Sequence, residues 1–205
     1  MPSWWCASNR SAAERNPIFP LDVTSHILIL NGAGSVGKSS IARAFQRISA
    51  KPFLHVAMDT FLDMLPATLM DHPDGLIFEA INNGNGPQIA INAGPAIERT
   101  LRGMRRAIAA LASEGNNLIV DDVMLGGEMN DYKALLKDFS LSFVGLFAPL
   151  AVLEERERLR RDRMIGLARW QFERVHSGKT YDLEIDTSAA TPAACARRIK
   201  DVFRL

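Results

Sequence analysis

Five short apolar runs are spaced along the chain, and most of them are followed by a segment with helical periodicity. The first run, residues 26–30 (HILIL), has no alternating polar positions, which is typical of a parallel strand buried on both faces. Repetition of a strand followed by a helix predicts an α/β fold, in which helices flank a five-stranded parallel sheet. The predicted strands are residues 26–30, 52–58, 117–120, 141–147 and 181–185.

Local signals fix the ends of several helices between these strands. Pro95 and Pro192 suit the first turn of a helix, because proline lacks a backbone N–H group and such groups have no partner within the helix there. Gly115 suits the position directly after the last turn of a helix. The predicted helices are Lys38–Ile48, residues 95–114, 131–137 and 153–175 with an internal break, and Pro192–Phe203.

Residues 66–94 interrupt this alternation of strands and helices. Two β-prone stretches, residues 76–78 and 88–91, flank a turn rich in asparagine and glycine, which favour tight turns between antiparallel strands. We therefore predict a hairpin that is inserted after the second strand of the sheet.

The composition is that of an ordinary globular domain. Of 205 residues, 47% are hydrophobic and 23% are charged, which suits one α/β domain. A net charge of +1 provides no field to hold nucleic acid, and no apolar run approaches the roughly 18 residues of a membrane span. Cys6 and Cys195 lie far apart, so we expect reduced thiols and a cytoplasmic protein. We interpret residues 1–23 as a poorly ordered extension and residues 24–205 as the domain, and assembly into a homo-oligomer stays open.

The strongest motif is a phosphate-binding loop directly after the first predicted strand. Residues 32–39 (GAGSVGKS) fit the pattern G-x-x-x-x-G-K-S. Glycines allow the backbone N–H groups to point at phosphate oxygens, and the following helix presents the positive end of its dipole to the same anion. Lys38 is expected to reach the β- and γ-phosphates, and the Ser39 hydroxyl to bind Mg²⁺. The predicted nucleotide-binding residues are Gly32, Ala33, Gly34, Ser35, Val36, Gly37, Lys38, Ser39 and Ser40.

Carboxylates follow two of the predicted strands, at the edge where parallel sheets bind ligands. Asp59 comes after the second strand, where it can accept the proton of an attacking hydroxyl group or, alternatively, cap the helix that begins there. Asp121 and Asp122 follow the third strand, where an aspartate can hold Mg²⁺. Turn and capping roles are the alternative for this pair, and the sequence does not decide which of the two serves the metal ion.

A run of charged residues, 154–163, contains five arginines within eight positions. Guanidinium groups suit the neutralisation of charge on a phosphoryl group during transfer, so we expect at least one of them to contact phosphate. The alternative is a solvated helix with pairs such as Glu154–Arg158. We interpret residues 153–178 as a lid over the nucleotide. Together, these features predict a phosphotransferase that uses a nucleoside triphosphate.

The phosphate-binding loop is shared by many proteins, and two other strings are more restrictive. They are Asp121-Asp122-Val123 with Leu125-Gly126-Gly127, and Val175-His176 with Gly178, Tyr181-Asp182, Glu184 and Asp186-Thr187. With these strings, the sequence from about residue 27 to residue 203 resembles the chloramphenicol phosphotransferases, small P-loop kinases that phosphorylate a hydroxyl group of an antibiotic. The resemblance also includes residues 59–66, 75–79 and 94–95, and Arg156, Glu157, Arg160, Asp162, Arg163, Gly166 and Gln171.

The resemblance implies that ATP is the phosphate donor, that Mg²⁺ is required and that a small hydroxylated molecule is the acceptor. It implies that Asp59 is the catalytic base, acting beside Lys38 of the loop. It also implies that lid arginines lie near the phosphates, with Arg160 and Arg163 the best matched.

The turn of the predicted hairpin, residues 82–88, is longer than the connection usual in this family. Because it lies where the acceptor should be recognised, the acceptor stays open between chloramphenicol and another hydroxyl compound, such as a nucleoside, an amino sugar or a nucleotide sugar. A second alternative is a nucleotide-dependent switch without transfer activity. Such a switch needs no base beside the γ-phosphate, so the presence of Asp59 favours an enzyme.

Overall fold

The computed structural model describes residues 24–82, 84, 86–160 and 164–205, and the structural statements below refer to these residues. The strands are β1 (His26–Asn31), β2 (Phe53–Ala57), β3 (Leu76–Ile81), β4 (Gln88–Ala93), β5 (Asn117–Asp122), β6 (Ser140–Phe147) and β7 (Leu183–Asp186). Five of them form a sheet in the order β2-β5-β1-β6-β7, with all neighbours parallel. The other two, β3 and β4, pair with each other as an antiparallel hairpin.

Helices cover both faces of the sheet. They are α1 (Lys38–Ile48), α2 (Met58–Leu62), α3 (Pro95–Ser113), α4 (Glu128–Leu135), α5 (Leu150–Leu159), α6 (Leu167–Phe172) and α7 (Pro192–Phe203), with one short 3₁₀ turn at Ala67–Leu69. Among the described residues, no helix combines the length and the apolar character needed to cross a lipid bilayer.

The central strand β1 explains why its sequence lacks polar alternation. Leu28 and Leu30 face the core that packs against α1 and α7, whereas Ile27 and Ile29 face the core that packs against α3 and α4. All four side chains are buried. Because both faces of the strand are covered, a polar residue at any of these positions would lose its hydration without gaining a partner.

The hairpin β3–β4 stands apart from the main sheet and is fixed at two ends. At its base, Gly94 N–H donates to the carbonyl oxygen of Gly75 at 2.7 Å. At the start of β4, Ile89 N–H donates at 3.1 Å to the carbonyl oxygen of Gly166, which immediately precedes α6. The inserted hairpin is therefore connected to the segment that the sequence predicts to be a lid.

Most predicted elements are confirmed, with shifted ends. The five-stranded parallel sheet, the hairpin, α1 and α7 form as expected, and Pro95 and Pro192 occupy the first turns of their helices. The long segment 153–175 breaks into α5 and α6, as predicted, whereas α4 begins three residues before its predicted start at residue 131. The predicted extension, residues 1–23, lies outside the described residues.

The two aspartates at the end of β5 have different roles, because successive side chains of a strand point to opposite faces. Asp122 is 3% exposed, and its carboxylate accepts hydrogen bonds at 2.7 Å from the Tyr132 hydroxyl and from the Val123 N–H group. Burial raises the pKa of Asp122. The expectation that Asp122 serves Mg²⁺ is therefore corrected: its oxygens bind protein donors inside the core, and Asp121 alone faces the loop.

A substitution of Tyr132 tests this structural role. Tyr132→Phe removes one of the two donors to the buried carboxylate, and we expect the free energy of unfolding to fall by about 1–3 kcal/mol. Chemical denaturation measures this change. Turnover per folded molecule should stay near wild type, and a large loss of turnover at unchanged stability would contradict the role assigned to Asp122.

Candidate active site

The phosphate-binding loop passes from β1 into α1 with the backbone that its motif predicts. Gly37 directly precedes the helix with a φ of +102°, a left-handed conformation that favours glycine. A Cβ atom on Gly32 would lie 2.7 Å from the carbonyl oxygen of Leu146, so a larger residue there would push the loop away from β6. Both glycines of the motif are therefore required by the geometry of the loop.

The ammonium group of Lys38 is held at the loop. Its Nζ donates to the carbonyl oxygens of Gly32 at 2.8 Å and Ala33 at 3.2 Å, and lies 3.9 Å from Oδ1 of Asp121. The residue is only 9% exposed. A cation in this position can meet phosphate oxygens that bind over the loop.

Asp121 connects the loop to the neighbouring strand. Its Oδ2 accepts a hydrogen bond from the Ser39 hydroxyl at 2.5 Å, and Nε2 of His55 lies 3.7 Å from the same oxygen. Burial acts to raise the pKa of Asp121, but His55, Lys38 and Ser39 together outweigh burial and lower the pKa below its usual value. The group is therefore an ionised carboxylate at neutral pH.

Asp59 lies in the first turn of α2, which begins directly after β2. The capping position belongs to Ala57, and no side chain caps this helix, so the capping alternative for Asp59 does not apply. The Asp59 side chain is exposed and lines the same cavity as Lys38 and Ser39. The carboxylate therefore lies on the rim that also carries the phosphate-binding loop.

The segment that the sequence predicts to be a lid places one of its two best-matched arginines at this cavity. Arg160 follows the last turn of α5 and lines the cavity that holds Lys38 and Asp59. Arg163 lies outside the described residues, so its predicted contact with phosphate stays a prediction.

Carboxylates of α5 fix the start of α6, so the charged run is more than a solvated helix face. Glu157 is 2% exposed, and its carboxylate accepts hydrogen bonds from two backbone N–H groups at the start of α6, at 2.7 and 2.8 Å. Glu154 forms an ion pair with Arg169 of α6 at 2.6 Å. The Glu154–Arg158 pair, which belonged to the alternative of a solvated helix, does not form, because Glu154 reaches across to the next helix.

The larger cavity beside the loop has a volume of about 1200 Å³. One part of its wall comes from the loop, α2 and the end of β5, and another part comes from the hairpin and α3. The apolar residues of that second part are Leu76, Phe78, Ile91, Ala93, Ile97 and Leu101. The cavity therefore extends well beyond the space that phosphate groups need.

A smaller cavity of about 390 Å³ is also lined by residues of the loop. It is lined by Ser35, Gly37 and Arg160, which also line the larger cavity, and by the segment between β7 and α7. Arg156 enters this cavity with its guanidinium held by Thr187, whose hydroxyl and carbonyl oxygens lie 3.0 and 2.6 Å from the two terminal nitrogens. The phosphate-binding loop therefore contributes to the walls of both cavities.

Two residues that no sequence motif marks lie at this site in the structure. Gln171 of α6 accepts a hydrogen bond from the loop, and His55 lies beside Asp121. Arg156 and Gln171 belong to positions that match the family resemblance, which is the only sequence signal that marks them. A lone glutamine in a short helix has no pattern from which a role could be predicted.

Residues 25–204 match the family model described as chloramphenicol phosphotransferase-like protein. A curated Mycobacterium tuberculosis (strain H37Rv) protein, named as a candidate O-phosphotransferase, is 28% identical over 184 residues, which cover 87% of this chain and 82% of that protein.

Among solved structures, a sugar kinase from Janibacter sp. HTCC2649 is 18% identical, with a TM-score of 0.62 and coverage of 89% of this chain and 95% of that one. A gluconokinase from Sinorhizobium meliloti is 17% identical, with a TM-score of 0.59 and coverage of 88% and 92%. At these identities the structures show a shared P-loop kinase fold. Because the family model spans nearly the whole described chain, the protein belongs to the chloramphenicol phosphotransferase-like family, whose members transfer phosphate to a hydroxyl group.

Proposed function

We propose that this phosphotransferase moves the γ-phosphoryl group of ATP to a hydroxyl group of an uncharged small molecule that carries an apolar group. The observation that supports it best is the shared cavity, because Asp59 lines the same space as Lys38 and Ser39 of the loop. A carboxylate beside the terminal phosphate is needed to transfer that phosphate to a hydroxyl group, whereas nucleotide binding alone does not need one.

The smaller cavity suits the nucleoside part of ATP. A triphosphate lying on the loop would have one end in each cavity, because Ser35 and Gly37 line both. The planar guanidinium of Arg156, held by Thr187, can stack on a purine base. The Thr187 hydroxyl donates in turn to the carbonyl oxygen of Val36 at 2.9 Å. Hydrogen bonds therefore link the proposed contact for the base to the phosphate-binding loop.

The residues near the loop also fit a magnesium ion. The Ser39 hydroxyl and the Asp121 carboxylate, 2.5 Å apart, are hard oxygen ligands, and Mg²⁺ usually completes its shell with water and phosphate oxygens. Ser39 and Asp121 would hold the ion. When bound there, Mg²⁺ would neutralise charge on the β- and γ-phosphates.

The proposed reaction is an in-line displacement at the γ-phosphorus. The acceptor oxygen forms a bond to this phosphorus while the bond to the β,γ-bridging oxygen breaks, and ADP leaves with that electron pair. The proton of the acceptor hydroxyl passes to the carboxylate of Asp59. Lys38 and Arg160 offset the negative charge that spreads over the oxygens of the phosphoryl group during transfer.

The far wall of the larger cavity supports the proposed acceptor class. Leu76, Phe78 and Ile91 of the hairpin provide an apolar surface, which favours an acceptor with an apolar group. The shared cavity would then bring a hydroxyl group of this acceptor towards Asp59. Chloramphenicol, an uncharged aryl compound, is one acceptor of this class.

The charges of α3 speak against a phosphorylated acceptor. Arg105 is 7% exposed and forms an ion pair with Asp131 at 3.1 Å, and Arg102 lies 3.7 Å from Glu98. Because both arginines of α3 already have carboxylate partners, an acceptor phosphate would have to displace one of these carboxylates or pair with Arg43 of α1, which also lines the cavity. Asp63 adds another carboxylate to the same lining.

A nucleotide-dependent switch is the second candidate function. It is favoured less, because Asp59 and the apolar hairpin wall form a space for a second substrate that a switch does not need. Slow ATP hydrolysis that no hydroxyl compound alters would favour the switch.

Replacement of Asp59 tests the assignment of the base. Asp59→Asn keeps the size of the side chain but removes the proton acceptor, so we expect kcat to fall by about 10²- to 10⁴-fold. ATP affinity should persist, because the phosphate-binding loop is unchanged. Steady-state kinetics and calorimetry measure the two quantities.

Asp201→Asn is a matched control for this experiment. It makes the same substitution at an exposed position of α7, and its turnover should equal that of the wild type. A folded Asp59→Asn variant that phosphorylates its acceptor within about tenfold of the wild-type rate would contradict the role of Asp59 as the base.

Replacement of Lys38 tests the phosphate-binding role of the loop. Lys38→Ala removes the cation that would meet the β- and γ-phosphates, so ATP affinity should fall strongly and turnover should be abolished. Isothermal calorimetry on variant protein with an intact circular dichroism spectrum checks this. Wild-type ATP affinity in the folded variant would be inconsistent with the assignment.

The acceptor class can be tested with matched pairs of compounds. One member of each pair is an uncharged hydroxyl compound, and the other is the same compound with a phosphate ester at a position remote from the reacting hydroxyl group. We expect uncharged members with an apolar group, chloramphenicol among them, to gain phosphate, and their charged partners to react at least about tenfold more slowly. Mass spectrometry of the products measures this. Faster reaction of the phosphorylated members would contradict the argument from the paired arginines.

A further inference from the structure

Gln171 reaches from α6 to the phosphate-binding loop. The residue is 4% exposed, and its side-chain oxygen Oε1 accepts a hydrogen bond from the Gly34 N–H group at 2.6 Å. A backbone N–H group can only donate, so the oxygen of the amide must face Gly34 and its nitrogen Nε2 must face the other way. The hydrogen bond therefore fixes which end of the amide is directed away from the loop.

The amide nitrogen is left with donor capacity towards the cavity. Gln171 lines the larger cavity together with Lys38, Asp59 and Arg160. Among the described residues, none accepts a hydrogen bond from Nε2 of Gln171. An amide donor that has no protein acceptor, in the wall of the proposed site, is available to a ligand that enters the cavity.

The position of Gly34 identifies which part of the ligand this is. Ser35 and Gly37 line both cavities, whereas Gly34 and Gln171 line only the larger one, which also holds Asp59. The larger cavity is the one in which the nucleotide meets the acceptor. A donor anchored on Gly34 therefore lies at the end of the triphosphate from which phosphate leaves.

The helix that carries Gln171 is held in place by several contacts. The buried Glu157 carboxylate binds N–H groups at the start of α6, Arg169 pairs with Glu154 at 2.6 Å, and the carbonyl oxygen of Gly166 accepts from β4 of the hairpin. These contacts set the position of the amide before any substrate binds. Preorganised donors of this kind are the ones that stabilise developing charge most effectively.

We propose that Gln171 is a catalytic residue, which donates a hydrogen bond from Nε2 to an oxygen of the phosphoryl group in transfer while Gly34 anchors its Oε1. The inference rests on the proposed function and adds to it a neutral donor beside Lys38 and Arg160. Gln171 neither gains nor loses a proton in the reaction, and its contribution is the stabilisation of charge on the phosphoryl oxygens.

Two variants separate this role from a structural one. Gln171→Glu keeps an oxygen that can accept from Gly34 but removes the donor, whereas Gln171→Ala removes both contacts. We expect kcat to fall by about 10²-fold or more in both variants, the loss typical of a missing preorganised donor. ADP affinity, measured by calorimetry, should stay within about threefold of the wild type, because ADP lacks the γ-phosphate.

Gln46→Glu is the matched control, since Gln46 is an exposed glutamine of α1 whose amide binds the carbonyl oxygen of Phe53 away from the cavity. Its kcat should be that of the wild type. If Gln171→Glu kept kcat within about tenfold of the wild type, or if both Gln171 variants lost ADP affinity in proportion to kcat, Gln171 would only anchor the loop and the proposal would be overturned.

A second measurement separates this inference from the proposed function. Binding of ADP with aluminium fluoride, which imitates the phosphoryl group in transfer, needs no acceptor. We expect Gln171→Ala to weaken this binding by at least about tenfold while ADP binding alone is retained. If wild-type protein bound this complex more tightly than the variant but phosphorylated no hydroxyl compound, the proposed function would be contradicted and the contact of Gln171 would be supported. Equal binding of the complex by wild type and variant would overturn the contact.

Discussion

The parallel pairing of β1, β2 and β5 is the constraint on which the candidate site depends. In register, Asp121 lies opposite Leu30 of β1 on one side and opposite Ala57 of β2 on the other. Each strand therefore ends at the same edge, and the residues that follow it enter one space. This strand pairing alone brings together the loop after β1, the carboxylate of β5 and the first turn of α2.

The strings that carry the family resemblance have two kinds of role in the structure. Some residues line the cavities, as Arg160 and Gln171 do. Others support the loop from behind: the side-chain amide of Asn31, the last residue of β1, donates to the Val175 carbonyl oxygen at 2.8 Å and to the Tyr181 hydroxyl at 2.6 Å. The position of the loop thus depends on contacts with residues about 150 positions further along the chain.

The elements of the fold could be predicted from local pattern because each has a local cause. The apolar run of β1, the glycines of the loop and Pro95 at the start of α3 act through their own backbone and burial. The choice between Asp121 and Asp122 could not be predicted, because it depends on which face of β5 turns towards the loop. The partner of Glu154 could not be predicted either, because Arg169 lies fifteen residues away, beyond the break between α5 and α6.

The topology of the sheet thus positions the loop and the carboxylates of the site, whereas tertiary contacts position α6.

The most direct test of the proposed function is to follow the γ-phosphoryl group itself. Protein would be incubated with ATP carrying ¹⁸O on the γ-phosphate and with a panel of uncharged hydroxyl compounds, and the products would be analysed by mass spectrometry. The account predicts that the labelled phosphoryl group appears on an acceptor hydroxyl; label found only in inorganic phosphate, whichever compound is present, would contradict it.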